Sequence, residues 1–213
     1  MKKLFAMLLM GVMFVSASVA QPKSSDKALW KSAQKMAKTL TKDGWRIDGS
    51  RTLEEMLYQH YQKLTDENNQ ELVANVIGNT EVKTMNQAQQ WASINAATSY
   101  AKQAKMMVVG RITNETGSGI EGAPSVDNFY EGYESQVVTE IRGEIKKSFS
   151  VYREKPTGGI DYKVFYLINE AAASQARVRA MERAMQESEF ARSNAERISA
   201  FVREGFALQN DEE

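Results

Sequence analysis

Cysteine is absent from this 213-residue sequence, and histidine occurs only once. Without cysteine, the chain cannot form disulfides, thiolate metal sites, a cysteine nucleophile or a lipidated N-terminal cysteine. The single histidine, His60, would have to serve any acid–base triad or any metal site that uses imidazole. Stability must therefore come from packing, and the residue types most used in catalysis are scarce.

The sequence also lacks an excess of either charge, with Lys plus Arg and Asp plus Glu at 27 each. Such a balance gives no electrostatic reason to expect nucleic acid or an anionic membrane as a partner. The composition, 42% hydrophobic and 25% charged, is typical of a globular domain of ordinary size. The sequence therefore predicts one folded domain and no nucleic-acid partner.

Long apolar runs are missing except at the N-terminus. A basic start at residues 1–3, an apolar run at 4–15 and small residues at 16–20 form the pattern of a secretory signal peptide. The apolar run is shorter than the ~20 residues that span a bilayer, so we expect cleavage after Ala20 and no transmembrane segment afterwards. The predicted organisation is a signal peptide (1–20), a single domain (21–209) and a disordered tail (210–213), in a periplasmic or secreted protein.

A β-hairpin is the clearest structural signal. Alternating apolar residues at 145–152 and 160–168 flank the turn-forming sequence Pro156-Thr157-Gly158-Gly159. The second run is apolar on both faces, as expected of a strand in the middle of a sheet. The predicted register pairs Lys155 with Ile160 and places Phe149 opposite Tyr166.

The remaining elements are mostly helices, and small side chains recur every three or four residues from Ala88 to Ala104. Helices are predicted over 26–42, 52–66, 86–109, 125–143 and 170–208, with additional strands at 45–47 and 71–83 and a polar loop at 114–124. Thr52 and Glu55 are predicted to form a capping box, and Asn86 and Asn169 are predicted to cap the third and the last helix. The fold class is therefore α+β. We expect a small antiparallel sheet of three to four strands packed against Ala-rich helices, with a long C-terminal helix.

Three patterns with catalytic or ligand-binding meaning are better explained structurally. Residues 117–122 match G-x-G-x-x-G, but a new helix start at Pro124 indicates a flexible loop, so no nucleotide cofactor is expected. His60 lies on the apolar stripe of its helix and is expected to be packed and hydrogen-bonded. The carboxylate pairs at 131/134 and 140/144 are typical of a solvated helix face, so no metal and no catalytic residue is assigned.

Aromatic residues remain as candidates for recognition. Three of them follow the glycine-bearing loop and form either an exposed partner surface or part of the core: Phe129, Tyr130 and Tyr133. Three others would line a pocket between the sheet and the Ala-rich helix: Trp91, Tyr100 and Tyr166.

The order of an Ala-rich helix (88–104), a loop, a strand, a turn and the strand 162–167 (YKVFYL) is similar to a known arrangement. It resembles the small outer-membrane lipoprotein family of flagellated bacteria and the flagellar T-protein N-terminal domain. This resemblance covers residues 71–168 and implies a compact envelope domain that binds other envelope proteins without chemistry. The whole mature chain also resembles uncharacterised exported proteins of the Bacteroidales type. No functional residue is carried over from either resemblance.

The sequence thus leaves three functional hypotheses. The first is an exported, non-enzymatic cell-envelope protein that acts as a protein-interaction or scaffold module, with another envelope protein as partner or homo-oligomers through the C-terminal helix. The second is a periplasmic small-ligand binding protein, and the third is an exported hydrolase that uses carboxylates.

Overall fold

The computed structural model describes residues 26–65, 68–78, 82–116, 124–156 and 158–188. In chain order its elements are α1 (Asp26–Lys42), β1 (Arg46–Ile47), α2 (Leu53–Leu64), β2 (Asn69–Val76), α3 (Met85–Thr116), α4 (Pro124–Ile141), β3 (Ile145–Glu154), β4 (Ile160–Asn169) and α5 (Glu170–Glu187). The described residues form five helices and a four-stranded antiparallel sheet, so the fold is α+β as the sequence predicted.

The strand order is β1-β3-β4-β2, and every neighbouring pair is antiparallel. β4 pairs with β3 on one side and β2 on the other, which confirms the prediction of a central strand. Because helices cover both of its faces, most of the side chains of β4 are buried. The two edges of the sheet are β1, which has only two residues, and β2, which has eight.

The predicted hairpin register is wrong by one residue. Ile160 pairs with Glu154 rather than Lys155, and Phe149 pairs with Phe165. The two phenylalanine rings are stacked, with centroids 4.3 Å apart. A β-bulge between Lys147 and Phe149 adds a second departure from simple alternation.

The shift arises because Lys155 belongs to the turn. Its N–H donates to the Gly159 carbonyl at 3.2 Å, and its own carbonyl accepts from the Gly158 N–H at 3.0 Å. Gly158 and Gly159 have φ angles of 85° and 90°, which glycine adopts without the steric cost of a Cβ. The turn is therefore one residue longer than the sequence pattern indicated.

One face of the sheet is covered by α3, beside which α4 and α5 pack. The contact with the sheet is made by fully buried alanines of α3 and by the inward side chains of β2, namely Ala88, Ala92, Ala96, Leu72, Ala74 and Val76. Small side chains bring the helix close to the sheet. A second set of buried α3 residues, Ala97, Ala101, Ala104 and Val108, lies roughly opposite Ala88 around the helix and meets α4.

The other face is covered by α1 and α2, which form a second apolar cluster with the sheet. Its buried members are Ala33, Ala37, Leu40, Leu53, Leu57, Phe149, Val151 and Phe165. The sheet is thus the middle of three layers, and each layer contributes to a closed core.

Two predicted helix caps are confirmed. The Thr52 hydroxyl accepts from the Glu55 N–H at 3.3 Å, and the Glu55 carboxylate accepts from the Thr52 N–H at 3.2 Å, which is a capping box. At the start of α5, the Asn169 side chain accepts from the Ala172 N–H at 3.2 Å. Both caps depend on residues three apart, which is why the sequence reveals them.

The limits of α3 differ from the prediction at both ends. Asn86 is not the cap, because Thr84 precedes the helix and exchanges hydrogen bonds with Gln87 at 3.2 and 3.3 Å. The helix continues beyond the predicted end at Val109 to Thr116, so the polar residues assigned to a loop begin as helix.

The C-terminal helix differs from the predicted range 170–208. α5 ends at Glu187, where Ser188 has extended backbone angles (φ −112°, ψ 126°), and 189–208 lie outside the described residues. The buried stripe of α5, which includes Ala173, Ala180 and Met181, packs against α4 within the same chain. None of the helices in the described part of the chain is long and apolar enough to cross a bilayer.

Candidate functional site

Of the two alternatives for the aromatic residues of α4, a partner surface or part of the core, the structure supports the core. Phe129, Tyr130 and Tyr133 are all buried in the main core cluster. The reason is that α4 lies against both α3 and α5, so its apolar side is enclosed. Burial also raises the pKa of Tyr133 above its usual value, with the nearby positive charge of Arg177 opposing this effect.

The three residues predicted to line a pocket are not brought together. Tyr100 is buried, and its hydroxyl accepts a hydrogen bond from Arg177 of α5. Tyr166 is buried on the face of the sheet that α3 covers, and burial raises its pKa to about 12. Trp91 lies on the flank of α3, half exposed, and ~13 Å of helix separates it from Tyr100. The structure therefore places Trp91 on the surface, apart from the two buried tyrosines.

Two of the carboxylates singled out on α4, Glu134 and Glu140, are paired with cations. Glu134 accepts a hydrogen bond from Lys105 of α3 at 2.8 Å. Glu140 binds Arg179 of α5 at 2.7 Å and also pairs with Arg183. These pairs join α4 to its neighbours, and within the described residues no cluster of three or more acidic or histidine side chains could hold a metal ion.

His60 is fully buried and hydrogen-bonded at both ring nitrogens, which confirms the structural interpretation. Nδ1 lies 2.9 Å from the Ser148 hydroxyl, and Nε2 lies 2.7 Å from a carboxylate oxygen of Glu71. The edges of the ring contact Phe149 and Phe165, with centroid distances of 5.5 and 5.8 Å. These contacts connect α2 to β2 and β3.

The order Glu71, His60, Ser148 is also that of a relay that activates a serine nucleophile. In such a relay the histidine must later protonate the leaving group, so a substrate has to reach its ring nitrogen. The imidazole of His60 has no exposed surface, since aromatic rings enclose it. The hydrogen bonds of His60 therefore have a structural role, which is to hold α2 against β2 and β3.

A second polar cluster was not found by sequence reasoning. One carboxylate oxygen of Asp48 accepts hydrogen bonds from the hydroxyls of Tyr162 (2.8 Å) and Ser150 (3.1 Å) and from the amide of Gln89 (3.3 Å). The Lys147 ammonium lies 3.7 Å from the same oxygen. Burial opposes ionisation of Asp48, but these hydrogen bonds and the lysine together hold its pKa below the usual value.

A third cluster surrounds Asp161, whose side chain is buried. Its carboxylate accepts from Arg153 at 2.7 Å, from the Gly78 N–H at 2.7 Å and from Lys155 at 3.1 Å. Burial again opposes ionisation, but the hydrogen bonds from Arg153, Gly78 and Lys155 lower the pKa of Asp161. The cluster joins the end of β2 to the turn of the hairpin.

Acid should destabilise the protein through these two carboxylates. A carboxyl whose pKa is lower in the folded state contributes stability above its unfolded pKa, about 3.9, and this contribution is lost as the pH falls through the folded value. We expect the free energy of unfolding, measured with urea, to fall steeply below about pH 4. In the double variant Asp48→Asn/Asp161→Asn this fall should be shallower.

The matched control is Asp127→Asn, at an exposed position in the first turn of α4. This variant should keep the wild-type dependence on pH. An equally steep fall in the double variant would show that other groups govern the loss of stability in acid.

Comparison of the chain with family models, with curated proteins and with solved structures found no match. The resemblance to envelope lipoproteins and to exported Bacteroidales proteins therefore stays a prediction.

Four large apolar side chains are exposed where β2 meets α3, and we call them the edge surface: Val73, Ile77, Trp91 and Ile94. Their exposed fractions are 37%, 75%, 51% and 46%, respectively. Alternation along β2 places Val73 on the face opposite α3, and Ile77 follows directly after the strand, whereas Trp91 and Ile94 project from α3. The edge surface therefore lies on both sides of the β2 backbone.

A hydrogen bond fixes the relative position of the strand and the helix. The Asn95 amide of α3 donates to the Asn75 carbonyl of β2 at 3.3 Å. Trp91 lies ~6 Å before Asn95 along the helix, and Ile77 lies ~6.6 Å beyond Asn75 along the chain. The two exposed side chains are thus at a similar level along the edge of the sheet.

Proposed function

We propose that this protein is an exported, non-enzymatic cell-envelope protein that binds another envelope protein through the edge surface. The single observation that carries the proposal is the exposure of Trp91, Ile94, Val73 and Ile77 around one edge of the sheet. Grouped apolar side chains on the surface of a folded domain are typical of protein-binding sites. Tryptophan in particular is enriched among the residues that dominate binding energy.

The edge surface is not needed to complete the core. The inward side chains of β2 and the alanines of α3 already close the contact between helix and sheet. The same two elements therefore carry a second, outward set of apolar side chains that the described residues leave exposed. The presence of these exposed side chains favours a role in binding rather than in folding.

The proposed location follows from the N-terminal pattern at residues 1–20, which is that of a secretory signal peptide. These residues lie outside the described part of the chain. We place the mature protein in the periplasm or outside the cell.

The small-ligand and hydrolase hypotheses are less well supported than the proposed function. The small-ligand hypothesis depended on Trp91, Tyr100 and Tyr166 sharing a pocket, and Trp91 lies apart from the other two. The hydrolase hypothesis depended on paired carboxylates, and Glu134 and Glu140 are bonded to cations.

The proposal predicts that capture of a partner depends on Trp91. The mature protein would be immobilised and cross-linked mildly in envelope extracts of its native host, and the captured proteins would be quantified. We expect Trp91→Asp to lower the recovery of a specific partner by about tenfold or more, because loss of a tryptophan hot spot costs about 2 kcal/mol of binding energy.

Met106→Asp is the matched control, because Met106 is a 73% exposed apolar residue on the same helix, ten residues beyond the alanines that contact the sheet. It should capture the partner as the wild type does. Thermal unfolding should verify that both variants are folded. Recovery of the wild-type protein only as a free monomer would contradict the proposal, as would equal capture by Trp91→Asp.

A further inference from the structure

The outer side of β2 carries backbone groups that no strand pairs with among the described residues. β2 has eight residues and pairs only with β4, in a register without any shift. The N–H and C=O groups that point away from β4 form a template for another strand. The Asn75 carbonyl accepts a hydrogen bond from the Asn95 side chain of α3, so one acceptor along this edge already has a donor.

Sheet edges in folded proteins are usually protected against such pairing by lysine, proline, bulges or very short strands. The opposite side of this sheet shows two of these devices: β1 has two residues, and β3, which β1 pairs with only at Val151 and Tyr152, is bulged between Lys147 and Phe149. β2 shows none of them, because it contains no lysine, arginine or proline. Its one charged residue, Glu71, is bonded to His60 of α2.

We infer that the partner binds as an extended segment that adds a strand to the outer edge of β2. This inference rests on the proposed function and specifies how the partner is recognised. Side chains of an added strand point alternately to the two faces of the sheet. On one face they would meet Trp91 and Ile94, and on the other they would meet Val73 and Ile77. The segment recognised should therefore be apolar at several alternating positions and free of proline at its centre.

A second copy of this chain fits the edge less well than a single extended segment. Antiparallel pairing of two β2 strands around a two-fold axis would place both α3 helices on the same face of the joined sheet. Because α3 contacts both β2 and β4, the two α3 axes would then lie about 10 Å apart, the separation of directly packed helices, so the side chains between them would have to interdigitate. Trp91 and Ile94 occupy the flank of α3 on which the second helix would have to lie.

The test uses the mature protein and linear twelve-residue peptides selected on it from a random display library. We expect the selected peptides to share apolar residues two positions apart. Each amide of the best peptide would then be N-methylated in turn. Only every second N–H of an added strand donates to the edge, so binding should be lost at alternate positions and retained between them.

Variants of the protein supply the second readout. Val73→Lys introduces a charge beside the edge and should weaken binding of the peptide by about tenfold or more. Met106→Lys should bind the peptide as the wild type does. Thermal unfolding should verify that both variants are folded.

Three results would overturn the inference. The first is loss of binding on N-methylation at positions that do not alternate. Apolar residues spaced three and four apart in the selected peptides would count in the same way, because that spacing indicates a bound helix. The second is self-association of the wild-type protein that Val73→Lys abolishes, since the occupant is then a second copy. The third is peptide binding that appears only after residues 189–213 are deleted, since the occupant of the edge is then a segment of the chain itself. If envelope capture still depends on Trp91 in these cases, the proposed function stands and only the strand inference fails.

Discussion

Replacing Gly78 with alanine should lower the free energy of unfolding by about 3 kcal/mol, at the upper end of the cost of overpacking. A Cβ at this position would lie 2.5–2.7 Å from the backbone C, O and N atoms of Ile160. Backbone atoms of a central strand cannot move aside as the end of a flexible side chain can. The Gly78 N–H also donates to the buried carboxylate of Asp161 at 2.7 Å, and this bond would be displaced.

The matched control is Gly132→Ala in the middle of α4, where a Cβ would meet nothing within 4 Å. Glycine within a helix is less favourable than alanine by up to about 1 kcal/mol, so this change should raise stability. Urea unfolding of both variants measures the contrast. Equal stabilities of Gly78→Ala and the wild type would show that β2 and the start of β4 are not held as closely as described.

Replacing Phe165 with alanine should cost about 3–5 kcal/mol, the range found for buried phenylalanines. Its ring stacks on Phe149 at 4.3 Å and contacts the edge of His60 at 5.8 Å. These rings join the central strand to α2, so the cavity would lie between two layers and could close only by moving one of them. Urea unfolding followed by near-UV circular dichroism measures the drop in stability as a lower midpoint.

Trp91→Ala is the control for this prediction, because it also removes an aromatic ring but at a half-exposed position. Its effect on stability should be within about 0.5 kcal/mol, as for most surface substitutions. A loss comparable to that of Phe165→Ala would mean that Trp91 belongs to the core, and the edge surface would lose its main residue.

Local patterns predicted the elements well. The capping box at Thr52 and the cap at Asn169 were read correctly, since each involves residues three apart in the chain. The central position of β4 was also predicted, because a strand apolar on both faces has to be covered on both. The hairpin register was missed by one residue, because turn length depends on backbone angles at Gly158 and Gly159 that the sequence does not specify.

Contacts between residues distant in the sequence are not predicted by local patterns. The sequence leaves open whether the aromatic residues of α4, beginning with Phe129, form a surface or part of the core, because periodicity identifies an apolar side but not how many neighbours enclose it. The clusters at Asp48 and Asp161 were missed entirely. Asp48 binds Tyr162 across 114 positions of sequence, and Asp161 binds Gly78 across 83 positions. No short sequence motif therefore predicts either cluster.

By itself, the sequence determined the α+β class, the caps at Thr52 and Asn169, the middle strand and the exclusion of cysteine chemistry. These properties follow from residue type and from interactions a few positions apart. Only the tertiary structure decided which apolar residues are enclosed and which remain outside. It buried Tyr133 and exposed Trp91, although both are aromatic residues on helices. The physical reason is that exposure depends on which elements pack against a face, and that packing is set by contacts distributed over the whole chain.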